Sequence, residues 1–443
     1  MNILIVGSGA REHAIAKVLC RTSPDALIFC YGNSHNPGIR QLASQYLCAD
    51  LQDLDRIAQS AQAWKIEMAI IGPEAPLEQG LADRLTQIGI ATVGPTRDLA
   101  RIESSKSFTR HLLQQYQIPG SPLFRFFHNM NGAAAFLQEL GEHHYVIKAD
   151  GLMGGKGVKV AGDHLHSITD ALAFCQELTD AGLPFLIEEK LEGQEFSLLC
   201  FTDGNCLIPM PLVQDHKRAF DQDKGPNTGG MGSYSCADHS LPFLKPGDLQ
   251  SAMAINQQVL QALQTECRQR YKGILYSSFM ATRDGVKLIE YNARFGDPEA
   301  INILSLFDQD FAALCWAISQ GSLTDEHVRF KALATVCKYA VPMGYPDLSL
   351  KNIPLDVSAI QNPDCLYYAA VNEQEGQLIA TGSRTIAVLG QASTLAEAEK
   401  LAEAEISRIE GEFFYRRDIG SADLIKQRID HMKRLRQESA AHA

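Results

Sequence analysis

Residues 147–158 read IKADGLMGGKGV: a lysine, an acidic residue, then Gly151, Gly154, Gly155 and Gly157 with Lys156 among them. Apolar runs flank the loop, YVI before it and VKVAG overlapping its end. The pattern predicts strand, glycine loop, strand. Glycine backbone can close on a polyphosphate with N–H donors, while Lys148 and Lys156 offset its charge. The P-loop pattern G-x-x-x-x-G-K-[ST] is not met, because Gly157 follows Lys156 where a hydroxyl residue is required. A mobile flap over nucleotide is expected, with any metal held elsewhere in the chain.

Upstream, the first hundred residues alternate short apolar strands with amphipathic helices, from NILIVGSG and AREHAIAKVLCRT to IEMAIIGPEAPL and EQGLADRLTQIG. All-apolar strands between helices indicate an α/β unit, a doubly wound parallel sheet. Such sheets take ligands beyond their C-terminal strand ends, so the glycine loops at 7–9, 32–38 and 72–76 are expected on one rim. From Glu103 the pattern becomes mixed α+β, ending in GILYSSFMATRDGVKLIEYNARFGD, a hairpin turning at Asp284-Gly285. Residues after 328 read as a small, mostly-β piece with the helix TLAEAEKLAEAEISRIEG. The expected divisions are 1–102, 103–327 with a lid lobe at about 120–190, and 328–443.

GSGARE, residues 7–12, invites a dinucleotide-binding reading that two features oppose. Glu12 stands where the fingerprint needs Gly or Ala, and the strand ending IFCYGN lacks the acid that would bind a ribose. A monophosphate at the helix N-terminus, with Arg11 adding charge, is the better guest; a tight turn without ligand is the plain alternative. Farther on, IEEKLEGQEFS sets Glu188, Glu189, Glu192 and Glu195 about a strand end, as acceptors for an adenosine or as a solvated rim. DHKRAFDQDKGPNTGGMG, residues 215–232, mixes Lys217 and Arg218 with a polar, glycine-rich loop suited to a substrate. In LIEYNARFGDPE, residues 288–299, Glu290 and Asn292 share one strand face. A carboxylate beside an amide oxygen suits Mg²⁺, which leaves its other positions to water and phosphate oxygens. Arg294 follows on that face, where it could meet a transferring phosphoryl group or an acyl phosphate.

Composition excludes other classes. The formal net charge of -12, from 40 basic and 52 acidic residues without a basic run, argues against a nucleic-acid partner. No stretch approaches the roughly 20 apolar residues of a membrane span, so no membrane partner is expected. The 11 cysteines are scattered with no C-x-x-C pair and read as reduced, mostly buried thiols. The opening MNILIVGSGA reads as strand and turn, not signal peptide, and a cytoplasmic location is expected.

Together GSGAREHA, IIGPEAPL, ESSK, IKADGL, GKGV, IEEKLEGQE, QDHKR, GPNTGGMG, IEYNARFGDPE and FYRRDIG, in this order over roughly residues 3 to 420, resemble the phosphoribosylamine–glycine ligases of the ATP-grasp superfamily. The resemblance implies an N-terminal domain, a two-lobed ATP-grasp core and a C-terminal domain, using ATP with Mg²⁺ or Mn²⁺. By position, Lys106 and Lys148 would contact phosphates beneath Gly151, Gly154, Gly155, Lys156 and Gly157. Glu188 would meet the adenine side and Glu195 the ribose, with Glu189 and Leu191 as further ATP contacts, and Glu290 and Asn292 would meet the metal. Phosphoribosylamine would sit toward Gly9, Arg11, Glu12, Asn33 and Glu74, with Asp215, Lys217, Arg218 and Asn227 as further substrate contacts. Gly296 would lie near glycine, and Arg294, Asp297 and Lys148 are the implied catalytic groups.

The implied chemistry moves the γ-phosphoryl of ATP to the carboxylate of glycine. The amine of 5-phosphoribosylamine then attacks the glycyl phosphate, giving glycinamide ribonucleotide, ADP and phosphate for purine biosynthesis. A monomer or weak homodimer is expected. Some stretches depart from the family's wording: Met153-Gly154 replaces alanines, Lys224 a threonine, and AVPMGYPDLS, AAVNEQEG and ATGSRTIAVLG differ in the C-terminal domain. The alternative they leave is a ligase of the same chemistry with another amine or amino acid.

Overall fold

The computed structural model describes residues 1–153 and 157–440. Its N-terminal sheet is five parallel strands in spatial order Gln45–Cys48, Leu27–Gly32, Asn2–Val6, Met68–Ile71 and Ala91–Val93. Ile3, Leu4, Ile5 and Val6 are all fully buried, which consecutive strand residues achieve only when both sheet faces are covered. The strand order reverses between Asn2–Val6 and Met68–Ile71, and this is where such sheets take ligands. The helices Ala10–Thr22 and Glu74–Glu78 begin just past those two strands and bring Arg11 and Glu74 to that point. Residues 74–78, which the sequence pattern assigns to a loop, thus form a helical turn opened by Pro73.

The segment expected as a lid forms a four-stranded antiparallel sheet, Phe124–Phe127, Phe185–Glu189, Tyr145–Ala149 and Val158–Val160. With the helices Ala133–Leu140 and Ile168–Asp180 it closes a core of its own around Phe127, Phe136, Tyr145 and Phe185. The glycine loop joins Tyr145–Ala149 to Val158–Val160. Gly154, Gly155 and Lys156, expected over the phosphates, lie outside the described residues.

A second antiparallel sheet orders Leu207–Pro209, Gln194–Thr202, Gly273–Thr282 and Gly285–Asn292, with the hairpin turn at Asp284-Gly285 where expected. Its last strand sets Glu290 opposite Ser278 and Asn292 opposite Tyr276. A third sheet starts with Gln214–Asp215 and Gly232–Ser235 and continues through Ala334–Pro342, Ile386–Ala392 and Leu366–Tyr368. The loop between its first two strands is thereby anchored to the C-terminal third of the chain. Lys338, fully buried in this sheet, is balanced by Glu399 and Glu403 of the helix Leu395–Ile406 at 2.8 and 2.7 Å.

Past FYRRDIG, where sequence pattern assigns no role, the chain forms the helix Ala422–Ala440. Leu424, Met432 and Leu435 bury one stripe of it at helical spacing, while Lys426, Lys433 and Arg434 face solvent. No helix among the described residues is long and apolar enough to cross a membrane.

Candidate active site

Lid, central sheet and N-terminal rim wall a single cleft of about 790 Å³. Ser105 ends the helix Arg97–Ser104 and caps the next, Lys106–Gln115, by accepting from the Phe108 N–H at 3.1 Å. That break puts Lys106 in a first turn, from which its Nζ donates to the Gly151 carbonyl at 3.0 Å. Asp150 accepts from the Ser107 N–H at 3.2 Å and from its hydroxyl. The acidic residue of the glycine stretch therefore ties the base of the flap to this helix. Gly151 holds φ at +114°, a conformation that side chains resist.

Lys148 projects from the lid strand with its Nζ 2.8 Å from Glu188 Oε2. Arg110 forks onto the same carboxylate at 2.7 and 3.0 Å, and both Arg110 and Glu188 are buried. Burial alone would raise the Glu188 carboxyl, but Arg110 and Lys148 outweigh it and hold it at about 2. The carboxylate expected at the adenine side is thus engaged by two cations and orients Lys148. Glu189, its neighbour, accepts from the Leu123 N–H at 2.9 Å. Sequence motifs pass over Arg110; the signal is its place four residues after Lys106, one turn along the same helix face.

Glu290 and Asn292 line the cleft, and neither side chain makes a hydrogen bond among the described residues. Burial pushes the Glu290 carboxyl up, yet Lys217, Lys148, Lys106 and Arg294 together leave it below its ordinary range. An unengaged, ionised carboxylate next to an amide oxygen fits a hard divalent cation. The described residues hold no group of three or more His, Cys, Asp or Glu placed for a metal. An ion here would be completed by water and substrate phosphate oxygens. Glu195 accepts from Ser278 Oγ at 2.7 Å and pairs with Lys217. Burial opposes the charge on Lys217, but Glu195, Glu290 and Asp215 raise its amine above the ordinary value.

Across the cleft, Arg294 reaches Glu103 at 2.8 Å and Glu74 at 3.4 Å. Glu103 also accepts from the Ala293 N–H at 2.7 Å, which fixes the strand end carrying Arg294. Asp297 accepts from Tyr339 Oη at 2.6 Å and pairs with Arg384 at 3.0 Å. Arg384 donates to the carbonyls of Gly229 and Asp297 at 2.7 and 2.8 Å, joining the glycine-rich loop to NARFGDPE. Burial, with Glu299 and Glu195 nearby, raises Asp215 well above the carboxylate range. Arg218 donates to the Gly225 carbonyl at 2.9 Å and pairs with Asp163 of the lid; Asn227 lies opposite it in the ladder. Glu103 and Glu299 lie within the quoted motifs ESSK and NARFGDPE without an assigned role, and Arg384 lies outside those motifs; the partners that make them functional candidates are distant in sequence.

Leu191, Arg11 and Glu74 line the cleft, whereas Gly9, Glu12, Asn33 and Gly296 do not. Glu12 is 2% exposed and accepts from the Gly9 N–H at 2.6 Å and from Arg11 Nε at 2.7 Å. Its large side chain fills the space where a dinucleotide fold keeps a small residue, and it aims Arg11 toward the Phe295 carbonyl, 3.1 Å away. Asn33 is exposed and accepts from Ser8 Oγ at 2.8 Å. Gly296 backs the Glu299 carboxylate, which accepts from Tyr276 Oη at 2.6 Å. A Cβ on Gly72 would overlap the Glu12 carboxylate. Gly72→Ala is therefore expected to cost about 1–3 kcal/mol by overpacking, read as a lower urea midpoint; an unchanged midpoint would show that Glu12 can move aside.

Three family models match the chain in succession: phosphoribosylglycinamide synthetase N domain at residues 1–103, its ATP-grasp (A) domain at 104–300 and its C domain at 335–422. A phosphoribosylamine–glycine ligase of Methanocella arvoryzae is 45% identical over 437 residues, 98% of this chain and 100% of that protein. The crystal structure of a phosphoribosylamine–glycine ligase from Thermotoga maritima superposes with a TM-score of 0.80 at 26% identity, covering 94% of this chain and 100% of that one. The biotin carboxylase domain of a Hydrogenobacter thermophilus 2-oxoglutarate carboxylase shares the fold alone, at TM-score 0.71 and 13% identity over 98% of this chain and 93% of that one. With its cleft, its three successive domain matches and its full-length relatives in agreement, the chain belongs to the phosphoribosylglycinamide synthetase family.

Proposed function

We propose that this protein is an ATP-dependent carbon–nitrogen ligase that joins glycine to 5-phosphoribosylamine, giving glycinamide ribonucleotide, ADP and phosphate in purine biosynthesis. The observation that carries the reading is full-length relatedness to proteins of that name, across all three domain matches. Those relatives do not favour the alternative of another amine or amino acid. We assign residues 1–102 to the N-terminal domain, 103–327 to the ATP-grasp core and 328–443 to the C-terminal domain.

ATP lies between the lid and the central sheet. Lys106 and Lys148 meet its phosphates, Glu195 meets the ribose, and the backbone at Leu191 borders the adenine. Glu290 and Asn292 hold Mg²⁺, for which Mn²⁺ can substitute as another hard divalent ion. When bound, the metal neutralises and polarises phosphoryl oxygens. The chain supplies the rest. Lys148, held by Glu188, offsets charge on the transferring phosphoryl group. Arg294 faces the glycine carboxylate and the acyl phosphate that forms from it, with Asp297 beside it. Arg11 and Glu74, at the reversal point of the N-terminal sheet, border phosphoribosylamine, while Lys217 and Arg218 brace the loop over the site. A closed flap excludes water, which would otherwise hydrolyse glycyl phosphate.

The test is ADP release from ATP and Mg²⁺ in the presence of glycine and freshly made phosphoribosylamine. Release is expected only when both substrates are present. Release with phosphoribosylamine replaced by another amine, and none with phosphoribosylamine itself, would overturn the assignment.

A further inference from the structure

The helix Ala422–Ala440 lies almost wholly beyond residues 335–422, the span of the C-domain match, yet three of its side chains reach back to the ATP-grasp part of the chain. Arg428 lines the cleft and pairs with Asp223. His431 Nδ1 stands 2.7 Å from Gln194 Nε2. Arg436 reaches Asp248 at 2.8 Å. The buried stripe of Leu424, Met432 and Leu435 seats the helix, so these contacts come from a fixed element.

Its two cleft-side partners both lead to Glu195, assigned to the ribose: Gln194 adjoins it in its strand, and Asp223 lies on the hairpin after Lys217, which pairs with Glu195. Asp223 sits in the turn between Arg218–Phe220 and Lys224–Asn227, the hairpin that follows Lys217. Arg416, 1% exposed, bonds Asp223 at 2.9 Å and the Arg218 carbonyl at 3.1 Å. Gln194 directly precedes Glu195 in its strand. His216, between Asp215 and Lys217, is buried with both ring nitrogens unpartnered among the described residues, so its side chain adds no hydrogen bond to the loop. The arginine contacts to Asp223 tie the hairpin to the C-terminal segment.

We propose that Arg428 and His431 are positioning residues for nucleotide binding. Arg428 acts through Asp223 on the hairpin bearing Lys217 and Arg218, and His431 acts through Gln194 on Glu195. This rests on the nucleotide assignment made above for the cleft.

The test compares full-length Arg428→Ala and His431→Ala with wild type and with Arg434→Ala, whose side chain is exposed on the same helix. Arg428→Ala is expected to weaken ADP binding in equilibrium dialysis and to raise KM for ATP, each about tenfold. KM for glycine and for phosphoribosylamine should rise much less than KM for ATP. Arg428→Lys should recover most of the loss, and Arg434→Ala should match wild type. Equal rises in all three KM values, or unchanged ADP affinity in folded Arg428→Ala, would overturn the proposal. Thermal unfolding monitors the fold of each variant; should Arg428→Ala not fold, Arg428→Gln is read by the same criteria. ADP binding by wild type without ligation would remove the ligase reading and leave this one standing. No ADP binding by wild type would overturn both.

Discussion

Glu290→Gln is expected to lower kcat about a thousandfold while the protein stays folded. Glutamine keeps the shape and one oxygen but removes the negative charge that a hard divalent ion requires. Lys106, Lys148 and Lys217 all act on this carboxylate, so it is ionised at neutral pH in the free protein. Its loss leaves those three cations facing one another, and the repulsion is screened because Glu290 borders an open cleft. The melting temperature should therefore move by no more than about 3 °C, the shift of roughly 1 kcal/mol in a domain of this size. ADP release at saturating ATP, measured across a Mg²⁺ titration, checks both parts. Turnover within threefold of wild type, at unchanged Mg²⁺ dependence, would remove Glu290 from the metal site.

The second large effect concerns stability. Glu188→Gln should destabilise the fold by about 3–5 kcal/mol, because it leaves the buried charges of Arg110 and Lys148 without their shared partner. The sign of the pH dependence follows from the carboxyl's position. In the folded protein it lies at about 2, below its ordinary 4.5, so its contribution is complete above pH 4.5 and is lost as pH falls toward 2. Urea unfolding of wild type and Glu188→Gln should show a constant gap from pH 5 to 8 that narrows below pH 4.5. A gap under about 1 kcal/mol at pH 7 would mean the two cations find other acceptors. Because Lys148 is the phosphate-facing partner in the proposed reaction, the same variant should also lose turnover.

How much of this was legible beforehand follows from the range over which sequence patterns act. Strand and helix periods relate residues two to four apart, so the parallel N-terminal sheet, the glycine flap and the shared face of Glu290 and Asn292 can all be read locally. The missing hydroxyl after Lys156 sends the metal search to another strand, where Glu290 and Asn292 are expected to hold the ion. Residues 74–78 were less legible, since a helix of one turn has too few positions to show a period. The last helix carries a readable apolar stripe, but nothing in that stripe says where it docks.

The amino-acid sequence by itself determined the order of the domains, the chemistry available to the cleft and the family. Tertiary structure decided which charges meet. Arg110 and Glu188 are 78 residues apart, Arg384 and Asp297 are 87 apart, and Arg428 and Asp223 are 205 apart. It also buried Glu12 and Glu188, both expected at the ligands, against the charges of Arg11 and Lys148. A carboxylate's role depends on whether a cation has reached it and displaced its water. Local pattern carries no record of that, because the partners come together only when the sheets pack.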